Sequence, residues 1–274
     1  MNNVIKMGKK VLAVVVLFFL FLSPMCFAKA SKNQVTEREL LILAIMSYSN
    51  NQQRYVTHIQ DDEFNAKWFA GYADPSELEG WKIVDIVMNR DARKMDGFSV
   101  VAYKKENNVV VAFRGTGIDS IKANKGDIIF SREHPQAKHV INYINTLRNA
   151  SFTKGNTNIY FTGHASGGYL ATFALGKSLS ISELKGKVKK AVTFNGLGIG
   201  YIVNKTMLKN LLKVNPSQLV NYAVRGDKLS EIGKHFTKII YVDLVNPKID
   251  AVHQRVVGNP YFPYSFFADE IFAA

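Results

Sequence analysis

Cysteine is nearly missing: the chain has one, Cys26, among 274 residues. The first 30 residues hold no acid, while Lys6, Lys9 and Lys10 precede the apolar run Val11 to Leu22 and Ala28-Lys29-Ala30 follows it. A positive start, an apolar core and an A-x-A site make residues 1–30 a cleavable secretory signal. The run is twelve residues, short of the roughly 20 that span a bilayer. Ser23-Pro24-Met25 is a poor lipidation context for Cys26, because Met is bulky where small residues are expected. The expected location is secreted or periplasmic, and the mature chain, without cysteine, forms no disulfide.

Other absences narrow the class further. No period of 20–50 residues and no low-complexity segment occurs, so residues 31–274 are expected to form a single domain. The histidines are dispersed and H-E-x-x-H is lacking, which leaves no expected metal or cofactor. No nucleic-acid recognition motif or aromatic platform is present, so no nucleic-acid partner is expected. Acid is also scarce: without the four lysines of the signal, 31 basic residues face 22 acidic ones, a net charge of +9. That excess suits an anionic membrane surface, a cell envelope or acidic substrates.

What the chain does have is apolar residues, 47% of the total, arranged as alternating strand and helix signals. Thr36-Glu37-Arg38-Glu39 reads as a capping box ahead of a buried helix through Ile45. Residues 50–96 read as mixed and turn-rich, with Trp68, Tyr72 and Trp81 as core or cap aromatics. Ser99–Tyr103 and Val109–Phe113 read as a hairpin, and Pro135 opens a helix with Ala137, Val140, Ile141, Ile144 and Leu147 on one face. Strands are further expected at 191–194, 219–224 and 239–242. The pattern predicts an α/β fold with a mostly parallel sheet covered by helices. Its sites would lie beyond the carboxyl ends of the strands.

Thr157 to Ala171 is the informative stretch: a β-branched and aromatic run, a cluster of small residues, then helix formers. This is the strand–turn–helix of a nucleophile elbow, G-x-S-x-G. Gly163 and Gly167 occupy the two glycine places, and position 165 between them is alanine. In the alternative frame Ser166 is the nucleophile and the flanking residues are His164 and Gly168. In the first frame Ser166 follows the nucleophile position, and its backbone N–H is an oxyanion donor. Arg114-Gly115-Thr116-Gly117, directly after a strand, is a second place where backbone N–H groups can face outward. Asp227 lies three residues after Val224, at a strand end, with Asp243 the other candidate acid; among histidines His253 stands against His235, while His164 is expected to be buried in its strand.

These motifs together, with their order and spacing, resemble the class 3 lipases, and most of all their bacterial lipase-like relatives, over roughly residues 36–260. The resemblance implies an α/β-hydrolase fold, hydrolysis of carboxylic esters, acylglycerols or phospholipids, and an ester or lipid ligand. It assigns Asp227 as the triad acid, His253 as the triad base, and Thr116 and Ser166 as oxyanion donors. Where those lipases carry Gly-His-Ser-Leu-Gly-Gly, this chain has Gly163-His164-Ala165-Ser166-Gly167-Gly168. The expected activity is therefore impaired or lost. Three readings stay open: a pseudo-hydrolase that binds lipid or envelope, an esterase acting through Ser166, or Ala165 as an introduced replacement of serine.

Overall fold

The computed structural model describes residues 34–48, 75–88, 97–115, 134–199, 205–227 and 229–242. Two compact units divide the chain, Met1–Gln34 and Val35–Ala274, and every element below belongs to the second. Helix α1 (Glu37–Met46) is followed by a 3-10 turn (Pro75–Leu78) and strands β1 (Lys82–Met88), β2 (Ser99–Lys105) and β3 (Asn108–Phe113). Then come α2 (Ala137–Leu147), β4 (Asn158–His164), α3 (Ser166–Ser178), α4 (Ser182–Lys185) and β5 (Val188–Phe194). The last are α5 (Lys205–Leu212), β6 (Leu219–Val224) and β7 (Ile239–Val242). The expected strands and helices are present, and β1 is an addition within the stretch read as turn-rich. Trp68 and Tyr72 lie outside the described residues, whereas Trp81 is buried beside β1.

The seven strands stand in chain order across one sheet. β1, β2 and β3 pair antiparallel, and β3 to β7 are parallel throughout. This is the mostly parallel, helix-covered sheet expected of an α/β-hydrolase. Because the order never reverses, right-handed crossovers must put every connecting helix on the same face. They do: Val140 and Ile144 of α2, Leu170 and Ala174 of α3 and Met207 and Leu211 of α5 share one core cluster with Val109, Val111, Phe113 and Phe161.

The opposite face needs cover of its own, and α1 supplies it. Leu40 to Met46 are all buried, against Val101, Val110, Ala112, Tyr160, Val192 and Phe194. A helix apolar on every side is one enclosed by protein. The alternation along β3, with Val109, Val111 and Phe113 to one core and Val110 and Ala112 to the other, explains why it is an unbroken apolar run.

α1 is fastened at its first turn. Thr36 and Glu39 form the expected capping box. Glu37 pairs with Lys190 of β5 and accepts from the Tyr222 hydroxyl of β6, and Arg38 makes a two-pronged contact with Glu77. Glu39 also accepts from the Trp81 indole N–H at 3.0 Å. Polar residues excluded from the core thus fix the register of the helix over the sheet.

Candidate active site

The carboxyl ends of β3 to β6 form one rim, and the tightest feature on it is the turn from β4 to α3. Ala165 is the single residue between the strand and the helix, with φ 54° and ψ −124°. Side chains rarely adopt this conformation, which costs about 1–3 kcal/mol where the surroundings enforce it. The surroundings here are backbone. Ala165 N–H donates to Phe194 O at 3.1 Å, and Ala165 O accepts from Gly168 N at 2.9 Å and Leu197 N at 3.2 Å.

The glycines make the close approach possible. A Cβ on Gly163 would lie 2.2 Å from Gly167 O, and one on Gly167 would lie 2.2 Å from Phe113 O. β4, the first turn of α3 and the end of β3 are therefore stacked main chain on main chain. Gly163 and Gly167 are the two glycines placed symmetrically about position 165.

Ser166 is the first residue of α3 and is wholly buried, with its Oγ facing the Cα of Gly115. Its neighbour Ala165 retains 7% of its surface. His164 ends β4 on the α1 face, the next position of that alternation after Thr162, whose hydroxyl donates to Leu40 O at 3.1 Å. Arg114, partly buried, follows β3 and donates its N–H to Ser99 O at 3.0 Å, tying the loop start to β2.

Asp227 stands on the same rim, just past β6. Gly226 reaches it with φ 87°, and Asp227 N–H closes the turn onto Val224 O at 3.0 Å. One carboxylate oxygen accepts from Ser230 N at 3.0 Å, and the Ser230 hydroxyl donates to Asp227 O at 2.9 Å. Asn195, after β5, takes a positive φ of 45° and accepts from Val224 N at 2.8 Å, which links the ends of β5 and β6. The loop after β5 is zipped to the one after Asp227 by Gly198 N–H to Ile232 O at 2.8 Å and by Lys234 N–H to Ile199 O at 3.1 Å. Elbow and acid loop are thus joined through a few main-chain bonds.

The described part of the rim contains no counterpart for two expected residues. Thr116 and His253 lie outside the described residues, as do Asp243 and the remaining chain from 243 on. His235, the other histidine considered as base, has Nε2 2.8 Å from Ser230 O. Burial holds its imidazole below the ordinary value, against the raising effect of that carbonyl. Among the described residues no group of histidine, cysteine or carboxylate side chains is arranged to hold a metal, and no helix is long and apolar enough to cross a membrane.

One residue of the site had no sequence signal. Tyr48, two residues beyond α1, accepts from Gly115 N–H at 3.0 Å through a hydroxyl that also lies 3.2 Å from His164 Nδ1 and 3.4 Å from His164 O. It is partly buried, and desolvation pushes its phenol above the usual tyrosine range although the Gly115 N–H and the Arg114 charge pull the other way. Its partners lie 67 and 116 positions away along the chain, so no local pattern announces it.

A seven-stranded, mostly parallel sheet with a glycine-stacked strand–turn–helix on its carboxyl rim defines an α/β-hydrolase scaffold. The family described as Mbeg1-like matches residues 76–217, and the chain belongs to it. Solved lipase structures are similar at the level of the fold. A nonglycosylated lipase of Yarrowia lipolytica is 13% identical, with 76% of this chain and 78% of that one covered and a TM-score of 0.51. A lipase from Rhizopus microsporus var. chinensis is 14% identical over 78% of this chain and 75% of that one, at 0.50. A mutant form of MDLA from Penicillium cyclopium is 13% identical over 76% and 81%, at 0.52. No curated protein matches the chain by sequence. The expected lipase-like architecture is thereby met in the fold, while the family itself is Mbeg1-like.

Proposed function

We propose that the chain is an exported lipase- or esterase-type hydrolase in which the ester-cleaving step is crippled at Ala165. The observation that carries this reading is the backbone of Ala165. It holds a costly conformation at a turn enforced by Gly163 and Gly167, although an alanine methyl has no chemistry to gain from it. Such strain is expected where a side chain must be presented above the strand ends.

In this reading Asp227 orients His253, His253 is the general base, and the N–H groups of Thr116 and Ser166 face the developing oxyanion. A serine at 165 would pass its proton to His253 as its oxygen attacks the carbonyl carbon of the ester. The ester C–O bond would break and the alcohol leave with that proton, and a water deprotonated by His253 would then release the acid and return the proton to the serine. Alanine has no such oxygen. The oxyanion donors and binding alone retain about 10³–10⁴-fold catalysis over water in well-studied hydrolases. Ser166 is the weaker candidate because its side chain is wholly enclosed at the base of α3. The net positive charge supports an anionic membrane or lipid partner, and the amino-terminal signal pattern supports export.

The test is labelling by a fluorophosphonate together with hydrolysis of short- and medium-chain p-nitrophenyl esters. The unmodified protein should stay near background, and Ala165→Ser should gain both activities. Recovering a missing nucleophile in the best-studied case is worth about 10⁶-fold, so a poorly aligned site still gives a signal. Strong labelling of the unmodified protein that disappears in Ser166→Ala makes Ser166 the nucleophile instead. An inert Ala165→Ser protein that binds lipid leaves a binding module.

A further inference from the structure

We propose that Tyr48 is the positioning residue of this site, the group that sets the end of β3 against the elbow. The inference rests on the hydrolase reading above and extends it to a residue outside the expected triad and oxyanion donors.

The oxyanion donor expected at Thr116 is one residue beyond Gly115, and β3 has ended by then, at Phe113. Past Phe113 the β3–β4 ladder ends, Phe113 and Gly163 being its last pair, and on the other side Arg114 N–H still reaches Ser99 O of β2. Gly115 therefore depends on other contacts for its place, and its N–H goes to the Tyr48 hydroxyl at 3.0 Å. The same oxygen lies 3.2 Å from His164 Nδ1. One hydroxyl thus spans the gap between residue 115, just before one oxyanion donor, and residue 164, just before the elbow. While it accepts from Gly115, the hydroxyl has its proton within reach of His164, at Nδ1 or at the carbonyl oxygen 3.4 Å away.

The fit around Gly115 is equally tight. A Cβ there would stand 2.3 Å from the Tyr48 oxygen, 2.7 Å from His164 O and 3.4 Å from Ser166 Oγ. Glycine at 115 lets the loop lie down on the elbow, and the Tyr48 hydroxyl keeps it there. The anchor itself is firm, because α1 is pinned at its first turn to β5, β6 and Glu77 and is buried from Leu40 to Met46. A tyrosine on a mobile segment could not hold an oxyanion loop to the few tenths of an ångström that catalysis needs.

The test has two arms. In the otherwise unmodified protein, Tyr48→Phe keeps the ring and removes the bond. The Gly115 amide should then exchange hydrogen at least about 10-fold faster, while Val111 at the centre of β3 keeps its rate and so reports that the fold is intact. In the Ala165→Ser background, adding Tyr48→Phe should lower kcat about 10- to 100-fold with KM within about threefold. That split marks a contact that matters in the transition state rather than in general binding. Unchanged Gly115 exchange overturns the proposal. So does an Ala165→Ser protein whose kcat ignores Tyr48→Phe, and that result leaves the nucleophile reading standing. An inert Ala165→Ser protein removes the nucleophile reading alone, and the exchange arm then decides the role of Tyr48.

Discussion

Replacing Gly163 with alanine tests the stacking at the elbow most directly. The added Cβ would meet Gly167 O at 2.2 Å and Gly167 C at 2.4 Å, roughly 1 Å inside normal contact distance. Both atoms are main chain, so no rotamer change relieves the clash. Gly167 cannot retreat as a unit, because its own Cα already faces Phe113 O so closely that a Cβ there would be 2.2 Å away. Helix α3 must then move off β4, opening the packing of Leu170 and Ala174. Overpacking of this kind costs about 1–3 kcal/mol and sometimes more, and a clash with rigid main chain belongs at the upper end. Loss of the glycine's chain entropy returns about 0.5–1 kcal/mol. A net destabilisation of about 2 kcal/mol or more is expected, or about 4–8 °C in Tm for a domain of this size. The assay is thermal unfolding followed by circular dichroism, with Gly186→Ala as comparison. Gly186 follows α4 with φ −78° and has nothing within 4 Å of its added Cβ, so alanine there should hold or raise Tm by a few degrees. A Gly163→Ala protein that melts with the parent would refute the stacked-backbone argument.

Two other outcomes follow from the same region. Ala165→Gly should stabilise the protein by about 1 kcal/mol, since relief of about 1–3 kcal/mol of backbone strain exceeds the roughly 0.5–1 kcal/mol of added chain entropy; a lowered Tm would show that φ 54° carries no strain. Burial disfavours the charged form of His235, so its folded pKa is below the unfolded value of about 6.5. The unfolded chain takes up a proton first as the pH drops, and the contribution of His235, complete above the unfolded value, is lost through the folded one. Denaturant midpoints at pH 8 and pH 5 should therefore fall less in His235→Gln than in the parent, and parallel profiles contradict this account.

The strands that bury both faces were the easiest to read, because Val109 to Phe113 carries no polar residue on either side and Ala191 to Phe194 only Thr193. β1 was hidden for the opposite reason. It stands at the edge of the described sheet, its run Lys82-Ile-Val-Asp-Ile-Val-Met is broken by charge, and its pairing with β2, from Lys82↔Lys104 to Met88↔Ser99, makes it a strand. Asp85 is tolerated there because the buried Tyr143 hydroxyl of α2 donates to it at 3.1 Å, a contact no window of sequence contains. At the site, glycine spacing was legible because each glycine answers a local backbone clash. Tyr48 was illegible because it meets Gly115, past the end of β3, and His164, at the end of β4, both far along the chain. Asp227 was readable as a strand-end residue from Gly226 and the run before it, whereas its hold on Ser230 emerged only with the loop folded.

The placement of α1 also sets the order in which the molecule can be finished. Among the described residues it is the only helix on its face of the sheet, and it is made before every strand that it covers. Between Leu40 and Phe194 the ribosome must add 154 residues, which at about 5–20 residues per second takes roughly 8–30 s. For that time the apolar run from Leu40 to Met46 lacks the complete sheet it buries against, and ten residues are too few to hold a helix in water. The first of the described helices to be synthesised is therefore among the last to dock. A chaperone or translocation factor that keeps residues 37–46 occupied would hold the sheet bare on one side, with Tyr48 still away from Gly115 and the elbow unfinished.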